Sequence, residues 1–162
     1  MTKVIVSFAS RTLIAGMLVL VATAACFAQE SKGGGRLTGT WDAVVRIKDC
    51  ATGNVLNTFA SIASFNQGGT SIGSTSGIPQ SLRTPEHGIW RHVGSNTYEF
   101  KFKSFSFNAM GQATGYAIVA HTVELDDTGD TYYSNGTASF YLLNGTPVGG
   151  RCSDADGTRM SF

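Results

Sequence analysis

The sequence predicts an all-β protein: a single up-and-down antiparallel β-barrel of about eight strands that follows an N-terminal signal peptide. β-branched and aromatic runs alternate with short turn sequences rich in Gly, Asn and Asp, which is the hairpin pattern. No sustained helical period follows the leader. Cys50 and Cys152, the only cysteines after the leader, bracket nearly all of this strand-like sequence. A meander of this kind buries its edge strands best by closing into a barrel.

Residues 1–28 have the organisation of a signal peptide. Lys3 and Arg11 precede an apolar, small-residue run over 12–25, which is too short for a comfortable membrane span of about 20 residues. Small residues at the end of the leader favour cleavage after Ala28. The alternative is a lipoprotein in which Cys26 becomes the lipidated first residue. We therefore expect a secreted or periplasmic protein with no membrane span.

The rest of the chain predicts one domain, residues 37–162, after a glycine-rich flexible linker over 29–36. The full chain has 12 Lys and Arg residues against 11 Asp and Glu residues, with the signs interspersed. A nucleic-acid partner would normally require a basic stripe, so we expect none. Nothing in the sequence forms a phosphate cradle, so no cofactor is predicted.

The first half of the domain contains four predicted strands, each bounded by turn residues. They cover residues 40–48, 55–65, 70–75 and 88–93. In the first strand, Trp41, Ala43, Val45 and Ile47 share one face, which indicates a strand with one buried face. The segment 78–88 before the fourth strand is the longest connection.

The second half continues in the same way. Its predicted strands cover residues 97–107, 112–125, 131–143 and 146–152, the last resuming near Thr158 after an acidic turn at 153–156. In the fifth strand the aromatic residues change parity between Phe102 and Phe105, which predicts a β-bulge at Lys103 or Ser104. Asn135-Gly136 is interpreted as a bulge or a break in the seventh strand.

Cys50 and Cys152 form one even pair in an oxidising compartment, which predicts a structural disulfide. Closing a loop of roughly 100 residues is worth up to about 4.7 kcal/mol in the chain-entropy model. His87, His92 and His121 have no carboxylate or thiol beside them at a recognised ligand spacing, so no metal site is predicted.

The opening Gly39-Thr40-Trp41 resembles the first-strand Gly-x-Trp of lipocalins and the wider calycin group. In those proteins a basic residue near the end of the chain packs over the tryptophan, and Arg159 is similarly placed here. The resemblance implies a structural pair in which Arg159 stacks on a buried Trp41.

The chain resembles more closely an uncharacterised group of small secreted bacterial proteins. The shared segments are 39–41, 49–53, 83–90 and the terminal Cys152 with 158–159. This resemblance implies no function, because none is assigned to the group.

The candidate ligand site consists of Arg83, His87, Trp90 and His121. The first three fall in or beside the longest connection, and His121 lies on an otherwise apolar strand face. If the segment is a rim loop over a barrel mouth, these residues receive a small apolar or amphipathic ligand. In the alternative interpretation the segment is a structural corner, in which Arg83 pairs with Glu86.

Three classes of function remain open at this stage. The first is a small-ligand-binding barrel, since an eight-stranded barrel can hold one small ligand. The second is a structural or surface barrel with a packed core, filled by Phe100, Phe102 and Phe140. The third is a barrel enzyme, an isomerase or hydrolase that uses His121, although no catalytic residues are assigned.

Overall fold

The computed structural model describes residues 35–162, which form a closed barrel of eight antiparallel strands. The predicted signal peptide, Cys26 and linker residues 29–34 lie outside the described residues. The strands are β1 Gly39–Lys48, β2 Val55–Asn66, β3 Thr70–Thr75, β4 Glu86–Gly94, β5 Thr97–Phe107, β6 Ala113–Leu125, β7 Thr131–Leu142 and β8 Pro147–Arg159. The all-β, up-and-down barrel that the sequence predicts is therefore confirmed.

Each strand pairs with the next, and β8 returns to pair with β1. Along this closing seam, Trp41 lies opposite Arg159 and Lys48 opposite Cys152. Trp41 and Ala43 are buried on the inner face of β1, while Asp42 and Val44 are exposed. The strand therefore alternates as its sequence predicts.

A disulfide joins Cys50, in the turn after β1, to Cys152 in β8. The two Cα atoms are 5.0 Å apart. The bond therefore links the two strands at which the barrel closes, 102 residues apart in the sequence.

β8 is longer than predicted, because no acidic turn interrupts it. Asp154 pairs with Arg46 and Lys48 on the outer face of β1, and Arg46 also reaches Asp156 at 2.7 Å. Burial would raise the pKa of Asp154, but the hydrogen bonds from Lys48 and Arg46 lower it. These ion pairs allow acidic residues to continue the strand, so the predicted turn was wrong.

The predicted bulge in β5 was also wrong. The register between β5 and β6 is continuous from Thr97 to Ser106. Phe105 faces outward, where the Lys103 amine lies 4.9 Å from its ring centroid. Buried Ser104 takes the inward position instead. The change in aromatic parity therefore reflects an aromatic patch on the outer face.

One end of the barrel is closed by a compact apolar cluster. Leu37, Trp41, Tyr98 and Val123 are each 0% exposed. Arg36, which the sequence places at the end of the linker, donates hydrogen bonds to Asn96 and to carbonyl oxygens of the β6–β7 turn. These contacts fix the chain across this closed end.

The connection between β3 and β4 contains a short 3-10 turn, Gln80–Leu82. β4 begins at Glu86, two residues before the predicted start, because Glu86 already pairs with Gly73 of β3. Within residues 35–162 there is no helix long and apolar enough to cross a membrane.

Candidate functional site

The barrel contains a cavity of about 250 Å³, to which all eight strands contribute. Its walls are mainly apolar or small side chains, among them Ala43, Phe100, Phe102, Val119 and Ala138. Phe140 also lines the cavity. The phenylalanines therefore form walls around an open space and do not fill the interior.

The cavity extends away from the closed end. It reaches Ile47, near the end of β1, and Phe59 and Ile78, which flank the opposite end of the barrel. Phe59 lies against Gly77, where an added Cβ would be 2.7 Å from the ring. The mouth therefore lies beside the β1–β2 turn and the β3–β4 connection.

Arg83 and Glu86 form a largely buried ion pair in the cavity wall. Arg83 Nη2 lies 2.6 Å from Glu86 Oε1, and Arg83 Nε donates to Ser104 Oγ at 3.0 Å. Burial raises the pKa of Glu86, while the charge and hydrogen bond of Arg83 oppose the rise. Both alternatives for this segment hold in part: the residues pair, as in a structural corner, and they also line the cavity.

His121 forms the centre of a second polar group, with a serine at each ring nitrogen. Nε2 is 2.7 Å from Ser153 Oγ, and Nδ1 is 3.1 Å from Ser134 Oγ. Burial lowers the pKa of His121 to about 4, although the charge of Asp154 acts in the opposite direction. The imidazole is therefore neutral at pH 7.

A neutral imidazole has one N–H donor and one acceptor nitrogen. With the two serine hydroxyls, the group has three hydrogens but only two hydrogen bonds between its members. One serine hydroxyl hydrogen is therefore left over. Ser134 and Ser153 both line the cavity, so this hydrogen can be donated to a ligand there.

The position of His121 depends on a glycine in the next strand. His121 of β6 lies opposite Gly136 of β7, and Gly136 in turn lies opposite Ser153 of β8. A Cβ on Gly136 would be 2.6 Å from His121 Cδ2. The side chain can therefore cross β7 and reach Ser153 only because this position has no side chain. The ladder is regular here, so neither a bulge nor a break occurs at Asn135-Gly136.

Tyr132 repeats this arrangement at the closed end of the cavity. It lies opposite Gly157, where an added Cβ would be 2.2 Å from the tyrosine ring. Its ring centroid is 5.0 Å from that of Trp41. Burial raises the pKa of Tyr132 to about 12, and the negative charge of Glu86 adds to the rise.

The structure brings two of the four predicted ligand residues to the cavity. Arg83 and His121 line it, whereas His87 is exposed on the outer face of β4. Trp90 belongs to the apolar cluster, and its Nε1 donates to the carbonyl oxygens of Asn66 and Thr70. Because side chains alternate along a strand, His87 and Trp90 cannot both face inward.

The residues that sequence reasoning missed are Glu86, Tyr132, Ser134 and Ser153. Tyr132, Ser134 and Ser153 were parts of runs interpreted as strand or turn, and no motif marked them. Glu86 was named only as the partner of Arg83 in the structural-corner alternative. The only available signal was a polar residue at an inward-facing position of a strand. Such a position can be recognised only when the strand register is known.

The predicted pair at the closed end has the expected geometry. Arg159 Cζ lies 4.3 Å from the ring centroid of Trp41, which is fully buried. The guanidinium also donates to the carbonyl oxygens of Gly129, Thr38 and Arg36.

The fold and site together define an eight-stranded antiparallel β-barrel with an internal, mainly apolar cavity. No protein family, curated protein or solved structure matches the chain. The resemblance to the calycin group, which depends on Trp41 and Arg159, therefore stays a prediction. Among residues 35–162, no three His, Cys, Asp or Glu side chains are grouped in a way that could hold a metal ion.

Proposed function

We propose that this protein binds a small, mainly apolar molecule inside the barrel. The observation that carries the proposal is the cavity of about 250 Å³ that remains between Phe100, Phe102 and Phe140. Ligand sites are typically apolar clefts with few polar anchors. An apolar cavity of 150 Å³ is enough to hold benzene. A ligand with a single ring, with two fused rings or with a short branched chain would suit the cavity of this barrel, which is larger than that.

The proposed setting is an oxidising compartment outside the cytoplasm. The Cys50–Cys152 disulfide supports this, since such bonds persist mainly in exported proteins. The leader-like composition of residues 1–28 points the same way.

Direct titration with benzene, naphthalene and 1-octanol tests the proposal. Neither Trp41 nor Trp90 lines the cavity, so tryptophan fluorescence is a poor reporter. Chemical shifts of the Ala117 and Val119 methyl groups, which face the cavity, are better. We expect at least one compound to bind with a Kd below 1 mM and to shift these methyl signals.

A matched pair of variants assigns the binding to the interior. Ala117 lines the cavity, whereas Ala120, three residues further along β6, is exposed on the outer face. Ala117→Phe should therefore abolish binding, and Ala120→Phe should leave it intact. Equal binding by both variants, or no binding by the wild type, would refute an internal site.

A hydrolase is the second candidate, favoured by the 2.7 Å contact between His121 Nε2 and Ser153 Oγ. A serine hydroxyl hydrogen-bonded to a histidine is the arrangement of an activated nucleophile. A histidine with a pKa of about 4 is nevertheless a weak base at pH 7, which places this function second. Hydrolysis of p-nitrophenyl acetate that is lost in Ser153→Ala would support it. If the wild type hydrolyses p-nitrophenyl acetate no faster than Ser153→Ala does, hydrolysis of this ester by Ser153 is excluded.

A further inference from the structure

The innermost part of the cavity contains polar groups that the protein itself does not satisfy. We call this part the cavity floor and define it by Tyr132 and Glu86. Tyr132 packs against Trp41 of the closed end. Glu86 lies opposite Gly73, which in turn lies opposite Ala63 beside the same cluster. Both floor residues line the cavity.

Tyr132 is buried, with only 7% of the residue exposed. Its hydroxyl makes no hydrogen bond with any group in residues 35–162. The oxygen is accessible from the cavity, because Thr38 Oγ1 is the one fully enclosed side-chain polar atom of residues 35–162 that has no partner. The hydroxyl faces the cavity, where a bound molecule can supply the missing acceptor.

Glu86 supplies an acceptor in the same cavity floor. Arg83 bonds to Oε1, whereas Oε2 lies beside Gly73 with no hydrogen-bond partner in the described chain. The Tyr132 ring crosses Gly157, which lies opposite Ala43 of β1, and Glu86 Oε2 lies beside Gly73, which lies opposite Ala63 of β2. The two groups therefore extend from opposite sides toward the part of the wall formed by β1 and β2. The cavity floor therefore presents one free donor and one free acceptor.

The charge of the site restricts what can bind there. Of the described lining residues, Arg83 and Glu86 carry full charges, and these are paired. His121 is neutral at pH 7. A carboxylate or an ammonium group would add an unpaired charge to a largely buried space, which is strongly unfavourable. An uncharged group avoids this cost.

We propose that the cavity floor binds an uncharged group with adjacent acceptor and donor atoms, such as a carboxamide. The acceptor atom receives the hydrogen of Tyr132 Oη, and the donor atom bonds to Glu86 Oε2. The apolar body of the ligand lies along Phe102 and Val119 toward the mouth. This inference rests on the proposed function, since it assigns a ligand chemistry to the same cavity.

A series of naphthalene derivatives with one shared body tests the inference. The compounds are naphthalene, 2-naphthamide, 2-naphthoate and 2-naphthylmethylammonium, each titrated at pH 7. We expect 2-naphthamide to bind at least about tenfold more tightly than naphthalene, because it adds two hydrogen bonds, one from Tyr132 and one to the Glu86 carboxylate. The two ions should bind more weakly than naphthalene.

Tyr132→Phe isolates the contribution of the hydroxyl, and Tyr133→Phe is its control. Tyr133 is the next residue along β7 and is exposed on the outer face. Tyr132→Phe should reduce the preference for the amide, which is the ratio of the Kd for naphthalene to the Kd for 2-naphthamide, at least threefold. Tyr133→Phe should not change this ratio.

The outcomes separate the two proposals. If naphthalene binds but the amide is not preferred, the cavity binds ligands and the inference about the floor is wrong. A preference that survives Tyr132→Phe, or tightest binding by either ion, also overturns the inference. If no compound of the series binds, nor any in the panel above, the proposed function fails and the inference fails with it.

Discussion

His121 lies across Gly136, with 2.6 Å between its Cδ2 and the position where a Cβ on that glycine would be. Tyr132 lies across Gly157 in the same way. In both pairs, a large side chain that faces the interior lies along the barrel wall, over a neighbouring strand. The centre of the barrel therefore stays open although its lining includes several large residues.

We predict that Gly136→Ala lowers the free energy of unfolding by about 3 kcal/mol, the upper range for overpacking. The new Cβ would clash with His121 and with the carbonyl oxygen of Ala120. Urea unfolding measures the effect. Gly35→Ala is the control, because a Cβ there meets nothing within 4 Å, and it should stay within about 0.5 kcal/mol of the wild type. An equally small effect of Gly136→Ala would contradict the packing described here.

The stability of the barrel should depend on pH through His121. Its pKa is about 4 in the folded protein, against 6.5 for an unperturbed histidine, so the unfolded chain binds a proton first as the pH falls. The contribution of His121 to the free energy of unfolding is fully present above pH 6.5. Up to about 3 kcal/mol of it is lost as the pH falls from 6.5 to 4.

The pH effect is measured as a difference between variants, because Glu86, with its raised pKa, contributes in the opposite direction in all of them. Unfolding free energies of the wild type and His121→Gln should converge as the pH falls from 6.5 to 4. His87→Gln, at an exposed position, should instead follow the wild type. Parallel curves for the wild type and His121→Gln would show that His121 is not buried as a neutral group.

Reduction of the disulfide should destabilise the barrel at its seam. The bond closes a loop of 102 residues, for which the chain-entropy model gives about 4.7 kcal/mol. Denaturant unfolding with and without dithiothreitol should therefore differ by about 2 to 5 kcal/mol. The Cys50→Ser/Cys152→Ser double variant should be insensitive to the reductant. A wild type that is equally insensitive would refute the stabilising role of the bond.

Arg159→Ala should lower the free energy of unfolding by about 2 to 4 kcal/mol, through the loss of three hydrogen bonds and the stacking on Trp41. Arg151→Ala, at an exposed site, should cost less than about 0.5 kcal/mol. Naphthalene affinity should be unchanged in both, because Arg159 lies outside the cavity lining. Equal stability of the two variants would remove the structural role assigned to Arg159.

Local patterns in the sequence were sufficient to predict the barrel and its disulfide. The turns between strands are short, and inward and outward residues alternate clearly in β1, so strand positions follow from the sequence alone. Two cysteines that bracket a closed meander meet at its seam. These features depend on local patterning and on closure, both of which are visible in the chain.

The site was harder to predict because it depends on contacts between strands. Glu86 is normally an exposed residue type, and only its pairing with Arg83 makes an inward position possible. Neighbouring His87 was favoured instead, although the register turns it outward. Gly136 was interpreted as part of a bulge or a break, because its role becomes apparent only when His121 is known to lie opposite. Asp154 was placed in a turn, since its partners lie on a strand more than 100 residues away.

The most direct test of the account is a crystal structure of the wild-type protein soaked with naphthalene. We expect the ring system to lie inside the barrel, between Phe102, Val119 and Ala138, with His121 still lying across Gly136. An interior filled by Phe100, Phe102 and Phe140, with naphthalene absent or found only on the outer surface, would contradict the account and favour a structural barrel with a packed core.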